Sequence, residues 1–346
     1  MRGVSCTLDR SDVTIPFRVG AARLKVLITT VPFGAASRDP LDALERHGVE
    51  YVINPFGRRL KEDELARIIP GFDALIAGTE PITARVIEAA DRLTLIARVG
   101  IGLDSVDICR ARARGVQVAY TPDGPSPAVS ELTIGLMLAL LRDIAGTGAR
   151  MRRHEWQRVM GRRLAETTVG IIGMGRVGGR VARHLLGGFP GVRVLAHDLV
   201  RDPQVTGVTW TEPEPLLRGS DIVTIHVPLT PSTHGMIGSR ELAMMRPDAL
   251  LINTARGGIV VESDLADALR RGAIAGAAVD VFEHEPYEGE LASVDRCLLT
   301  CHMGSMTVDC RRRMELEAAE EVVRHFAGVP LLNPVPDAEY ALARSG

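Results

Sequence analysis

Apolar positions along this chain fall into short continuous runs separated by stretches with helical spacing. In the first part the runs are Leu24–Thr30 (LKVLITT), Glu50–Asn54, Ala74–Ala77, Leu95–Val99 and Val116–Ala119. Between them, Pro40–His47, Glu62–Ile69, Thr83–Ala90 and Val106–Arg114 repeat apolar residues three and four apart, which predicts helices. Gly48 and Pro70-Gly71 supply the stops after two of them. The pattern resumes further on. Val169–Ile172, Val192–Ala196, Asp221–Val227, Ala249–Asn253, Ile274–Val281 and Leu298–Thr300 read as strands. Helices are expected after Gly175 and over Pro215–Arg218, Arg240–Met244, Glu262–Arg271 and Thr307–Ala327. Strands that are apolar on both faces and alternate with helices belong to buried parallel sheets, so the class is α/β.

The two halves are joined by Thr121–Pro127 (TPDGPSP), a hinge by composition. Ser126 is placed to cap a helix with Pro127 at its first position. That helix runs to about Ile144 and is apolar on nearly every face, which predicts burial all round. Helical character is expected to continue from Arg150 to Arg163 around Trp156. Turns are expected over Gly328–Pro336, with a frayed remainder.

One stretch carries explicit chemistry. After the strand Val169–Ile172 come Gly173, Gly175 and Gly178 as G-x-G-x-x-G, then apolar residues at helical spacing. The next strand ends at Asp198, about twenty residues beyond Gly178. The first glycine permits a tight turn, the second lets the backbone approach a pyrophosphate, and the third lets helix pack on strand. Amides at the helix start face the phosphates. Asp198 accepts hydrogen bonds from a ribose and repels a 2′-phosphate, so the expected cofactor is NAD rather than NADP. Arg201 stands close enough to offset that preference in part.

Composition narrows the partners. Lys+Arg 41 against Asp+Glu 43 gives a net charge of −2, which offers no general attraction to nucleic acid or anionic membrane. Hydrophobic residues at 46% suffice for the cores of two domains, but aromatics at 4% leave those cores to aliphatic side chains. Five cysteines, irregularly spaced, suit neither a disulfide framework nor a zinc site, and no metal is expected. The first residues lack the apolar core of a signal peptide, and residues 1–22 read as an irregular extension. The apolar run near Leu132–Leu141 is too short to span a bilayer. The expectation is a soluble, cytoplasmic protein without a membrane partner.

In open parallel sheets ligands bind beyond the carboxyl ends of the strands. Arg256 follows LLINT, Glu285 follows AAVDVF and His302 follows LLT, so all three stand there. A hydride leaving or reaching a carbinol carbon requires a proton to move at the oxygen, and histidine moves protons near neutral pH. A neighbouring carboxylate orients the ring, and an arginine grips a substrate carboxylate by two prongs. Catalytic candidates are therefore Arg256, Glu285 and His302.

In order and spacing, ARVGIGLDSVD (97–107), VSELTIGLMLALLR (129–142), GIIGMGRVGGRVA (170–182), HVPLTPSTHGMIG (226–238), ALLINTARGGIVVESDLADAL (249–269), AGAAVDVFEHEP (275–286) and CHMGSMT (301–307) resemble the D-isomer-specific 2-hydroxyacid dehydrogenases, the family that includes D-3-phosphoglycerate dehydrogenase. The resemblance covers most of residues 24–335. It implies two doubly wound parallel-sheet domains, Rossmann- and flavodoxin-like, with a discontinuous substrate domain. The implied boundaries are 1–125 for the first part of the substrate domain, 126–304 for the NAD domain and 305–346 for the return.

The resemblance also implies roles. Arg256 anchors substrate, Glu285 partners the acid/base His302, and Asp280 holds the nicotinamide carboxamide. Arg176 and Val177 meet the pyrophosphate, while Pro228, Thr233, Thr254, Ala255 and Gly304 line the cofactor. Amides at Val99, Gly100 and Ile101 meet the substrate carboxylate. The activity implied is interconversion of a small D-2-hydroxy acid and its 2-oxo acid by a homodimer joined through residues 127–165. Arg98, an extra cation beside the anion-binding loop, reads either as a contact for a second anionic group, as on 3-phosphoglycerate or a phosphonate, or as a surface arginine in an ordinary ion pair. Cys301 departs from the family pattern, where proline precedes the histidine. The alternative reading on the same fold is an NAD(H)-sensing, co-repressor-like binding protein.

Overall fold

The structure, a computed structural model, describes residues 24–344. The extension expected over residues 1–22 lies outside the described residues. The chain forms two compact units. The first comprises the chain through Val99, Ser105–Thr121 and Met314–Pro336; the second comprises Gly100–Asp104, Pro122–Arg313 and the chain from Asp337. The chain passes from the first unit to the second at Pro122 and returns at Met314. Near the second crossing, within the second unit, the buried Cys310 thiol donates to the Gly124 carbonyl at 3.4 Å.

The first unit is a five-stranded sheet of β1 (Lys25–Ile28), β2 (Glu50–Ile53), β3 (Ala74–Ala77), β4 (Leu95–Arg98) and β5 (Gln117–Ala119). Its order is β2-β1-β3-β4-β5, and every pairing is parallel. That is the flavodoxin-like order. Helices α1 (Asp39–Arg46), α2 (Glu62–Ile68), α3 (Ala84–Ala89) and α4 (Ile108–Ala113) make the crossovers.

The second unit begins with α5 (Ser126–Leu141) and α6 (Ile144–Arg152). Then follow β6 (Thr168–Ile172), α7 (Arg176–Gly188), β7 (Arg193–His197), β8 (Thr209–Trp210), α8 (Pro213–Gly219), β9 (Ile222–Ile225), α9 (Ser239–Met244), β10 (Leu250–Asn253), α10 (Glu262–Arg270), β11 (Gly276–Val279) and β12 (Cys297–Leu299). The sheet order β12-β11-β10-β9-β6-β7-β8 is all parallel. It reverses between β6 and β9, the topological switch point of a dinucleotide-binding fold.

Strand periodicity sorts this unit's residues into two cores. Ile222, Leu250, Ile252 and Ala278 pack with α5 and α7 through Met137, Val181 and Leu185. Their neighbours Val223, Ile225, Leu251, Ala277 and Val279 pack on the opposite face with α9 and α10 through Leu242, Leu265 and Leu269. This explains why the strand runs are apolar throughout.

Three expectations change. Helix α5 is buried along one face, with Glu131 and Gly135 exposed on the other. Its apolar composition therefore does not mean burial all round in the single chain. Helicity does not persist to Arg163. Helix α6 buries no residue, so packing does not favour extending it, and His154 follows at φ +62°. The C-terminal segment is not frayed throughout: after α11 (Val308–Phe326), α12 spans Asp337–Arg344, anchored by the buried Tyr340. Among the described residues no helix is long and apolar enough to cross a membrane.

Buried Asp221 ties the irregular 153–163 segment to the sheet. It accepts from Thr168 N at 2.7 Å and pairs with Arg162 at 2.7 Å and Arg246 at 3.6 Å. Burial opposes its ionisation, but the Arg162 and Thr168 hydrogen bonds and both guanidinium charges outweigh burial and hold its carboxyl below the usual range. A depressed carboxyl contributes stability above its unfolded value and loses it as pH falls through the folded value. Asp221→Asn is therefore expected to cost about 1–3 kcal/mol at neutral pH. In urea titrations this deficit should shrink as the pH is lowered through the carboxylate range; a deficit independent of pH would contradict the account.

Candidate active site

The switch point carries the glycine turn. Gly173 leaves β6 at φ +92°, and a Cβ there would lie 2.6 Å from the His226 carbonyl oxygen. A Cβ on Gly178 would lie 1.9 Å from the Gly173 oxygen, so α7 reaches its place only without one. Gly175 differs, because a Cβ there would meet nothing within 4 Å. Its missing side chain leaves room at the start of α7, where a dinucleotide pyrophosphate needs close access to amides. Asp198, just past β7, accepts from Met174 N at 2.6 Å and Val200 N at 3.1 Å, and so braces the turn. Arg201 is engaged by Glu212 at 2.9 Å. Together, the open glycine, the helix start and the carboxylate after β7 suit a dinucleotide with an unphosphorylated ribose.

Other expected cofactor contacts have partners inside the protein. Arg176 pairs with Asp123 of the hinge segment at 2.7 Å. Val177 is half-buried in the first turn of α7. The Pro228 carbonyl accepts from Thr233 Oγ1 at 2.7 Å, and that hydroxyl in turn accepts from Thr230 N. Buried Thr254 shares a hydrogen bond with Thr133 of α5 at 2.9 Å. Ala255 N donates to Asn253 Oδ1 at 3.1 Å.

The three chemical candidates come from adjacent turns. The His302 ring sits against Glu285, with Nδ1 at 3.0 Å from Oε1 and 2.9 Å from Oε2. Glu285 also accepts from Phe282 N at 3.1 Å, which ties its carboxylate to the turn after β11. His302 adopts φ +50°, a conformation that costs a non-glycine residue about 1–3 kcal/mol. Asp280, 1% exposed, holds it there. His302 N donates to the Asp280 carbonyl at 2.7 Å. The Asp280 carboxylate accepts from Thr300 Oγ1 at 2.6 Å, Met303 N at 2.9 Å and Gly304 N at 2.9 Å. Asp280, expected at the nicotinamide, is seen to shape the histidine turn.

Arg256 projects from the turn after β10. Buried Asn253 moulds that turn by donating to the Arg256 carbonyl at 2.9 Å. A Cβ on Gly257 would lie 1.9 Å from Phe282 C, so the arginine turn lies directly on the turn that leads to Glu285. Arg256 Nη1 donates to Ala255 O at 2.7 Å, and its Nε donates to Asp104 Oδ1 at 2.9 Å. Asn253, Gly257 and Asp104 were not singled out from sequence. Asp104 lies inside a quoted motif, but nothing in its spacing points to Arg256.

In the first unit, Arg98 of β4 is 5% exposed and donates to the Val99 carbonyl. Val99 N is used by the sheet, donating to Ala77 O at 2.9 Å. Gly100, where the chain passes to the short stretch that belongs to the second unit, follows at φ +142°, and Ile101 is half-buried.

Two glycine substitutions separate packing from ligand access. Gly175→Ala is expected to keep the wild-type melting temperature while weakening NADH binding at least tenfold, a loss of about 1.4 kcal/mol. Gly178→Ala should lose stability as well. Fluorescence titration with NADH and calorimetry check both, and a Gly175→Ala protein that binds NADH normally would remove the glycine from the cofactor's path.

A family description, D-isomer specific 2-hydroxyacid dehydrogenase, NAD binding domain, matches residues 134–304. The chain is 34% identical to a hydroxypyruvate reductase of Thermotoga maritima over 82% of this chain and 96% of that one. It is also 34% identical to a D-3-phosphoglycerate dehydrogenase of Archaeoglobus fulgidus over 86% of this chain, but spans only 57% of that longer protein. A crystal structure of a Thermus thermophilus protein superposes with a TM-score of 0.83 at 35% identity, covering 90% of this chain and all of that one. The switch-point glycine turn and this match over nearly a whole relative lead to one assignment: the chain belongs to the D-isomer specific 2-hydroxyacid dehydrogenases, enzymes that depend on NAD.

Proposed function

We propose that His302, Glu285 and Arg256 carry out the interconversion of a short D-2-hydroxy acid and its 2-oxo acid. The observation that carries this reading is the histidine–carboxylate contact. With Nδ1 committed to Glu285, Nε2 makes no hydrogen bond among the described residues and is the nitrogen left to exchange a proton with substrate oxygen. NAD, when bound, supplies the acceptor or donor of hydride at nicotinamide C4. Glu285 fixes the ring and stabilises the imidazolium once His302 has taken the proton. Arg256 holds the substrate carboxylate and polarises the adjacent oxygen. The glycine turn and Asp198 position the dinucleotide.

Two observations support a small substrate. Arg98 is enclosed and bonded to a neighbouring carbonyl, which suits a structural cation better than a reader of a second anion. The relative matched along nearly all its length is named a hydroxypyruvate reductase. Hydroxypyruvate, whose reduction gives a D-2-hydroxy acid, is therefore the proposed 2-oxo acid, with glyoxylate, for which another relative is named and whose product has no stereocentre, as a second. We also infer a homodimer. The 153–163 segment leaves Trp156 78% and Met160 98% exposed, more apolar surface than a single chain would be expected to leave bare.

His302→Ala is expected to lower kcat by about 10²–10⁴-fold, with NADH affinity unchanged. Wild-type turnover in that variant would overturn the assignment. In a panel of hydroxypyruvate, glyoxylate, pyruvate and 3-phosphohydroxypyruvate, the first two should give the highest kcat/KM, with NADH preferred to NADPH. A tenfold or greater preference for the phosphorylated acid would restore Arg98 as a substrate contact. Sedimentation should report twice the chain mass, falling to one chain on joint replacement of Trp156 and Met160 by Glu.

A further inference from the structure

Arg256 has a seat built from a second segment of chain. Residues Gly100–Asp104 leave β4, yet they cluster with the second unit, to which Arg256 belongs. Within that segment Asp104 Oδ1 takes the Nε hydrogen at 2.9 Å. Arg256 Nη2 occupies the volume that a side chain at Gly102 would need: a Cβ there would stand 1.6 Å from Nη2 and 2.7 Å from Cζ. It would also stand 2.6 Å from Asp104 Oδ1. Nη1 is fixed on Ala255 O. The fork is thus held at two nitrogens, and Nη2 makes no hydrogen bond among the described residues.

An exposed ion pair contributes little by itself. This pair is half-buried, with Arg256 at 22% and Asp104 at 35% side-chain exposure. The glycine beside it is sterically required. A long arginine side chain loses much rotamer freedom when it grips an anion. Holding it beforehand at Nε and Nη1 removes most of that cost from the binding step. The carboxylate also offsets the arginine's charge before the substrate anion arrives.

From this we infer that Asp104 is a positioning residue for Arg256, setting the plane of its guanidinium so that Nη2 meets the substrate carboxylate, and that Gly102 provides the necessary space. This rests on the role proposed for Arg256. Asp104→Ala, Asp104→Asn, Gly102→Ala, Arg256→Ala and the double variant Asp104→Ala/Arg256→Ala test it, assayed with hydroxypyruvate and NADH. Asp104→Ala should raise KM for hydroxypyruvate by about tenfold or more and lower kcat, leaving NADH affinity and Tm near wild type. Asp104→Asn, which keeps an oxygen acceptor for Nε, should recover most of kcat. Gly102→Ala should raise KM likewise. With Arg256 already removed, losing Asp104 should cost nothing more. Asp104→Ala kinetics within twofold of wild type, or a parallel loss of NADH affinity, would overturn the inference. If Arg256→Ala itself keeps the wild-type KM, the reading of Arg256 fails. If Arg256→Ala raises KM while Asp104→Ala does not, only the positioning role fails.

Discussion

The buried carboxylate of Asp280 accepts three hydrogen bonds, from Thr300, Met303 N and Gly304 N, while its own carbonyl takes the His302 amide. A carboxylate with so little exposure is tolerable only when its oxygens are well satisfied. Here that requirement is met by curling the chain after β12 into a turn. The turn forces His302 to a positive φ, and that conformation brings the ring onto Glu285. One buried charge thus joins the end of β11 to the end of β12.

The second constraint is close packing without side chains. Gly257 seats the arginine turn on the Phe282 backbone, Gly178 seats α7 on the Gly173 carbonyl, and Gly102 leaves room for Arg256. At each contact an added Cβ would overlap an atom of the neighbouring turn, so a methyl group would separate the pieces. This is why the turns at the carboxyl edge of the second sheet can hold the open start of α7, a histidine–carboxylate pair and an arginine side by side. Below them the alternating strand residues fill two aliphatic cores, which explains how so few aromatics suffice.

Much of this was legible in the linear chain. Aliphatic runs located eleven strands to within a residue or two, because parallel strands buried on both faces admit little else; the two-residue edge strand β8, which is not apolar throughout, was missed. The glycine spacing and Asp198 marked the dinucleotide turn, since few other arrangements need a tight turn, an open approach and a close helix together. Misreadings arose where local character and burial diverged. Helix α5 is apolar in composition but buried along one face in the single chain. The stretch after Arg152 has helical character, but residues 153–161 are all exposed, so a helix there would bury little. Residues 337–344 lack a strong pattern, yet one buried tyrosine anchors a helix there.

Sequence by itself therefore determined the α/β class, most of the order of elements, the cofactor turn and the residue types available for proton transfer and anion binding, because each depends on local spacing and intrinsic chemistry. Beyond the Glu285–His302 pair, which the resemblance implied, tertiary structure decided which partner each of those groups has. Arg256 meets Asp104 from a segment 152 residues earlier, Arg176 turns to Asp123, and Asp280 braces the histidine turn. Such pairings are set by where the strands end in space, and that follows from sheet order and close packing rather than from distance along the chain.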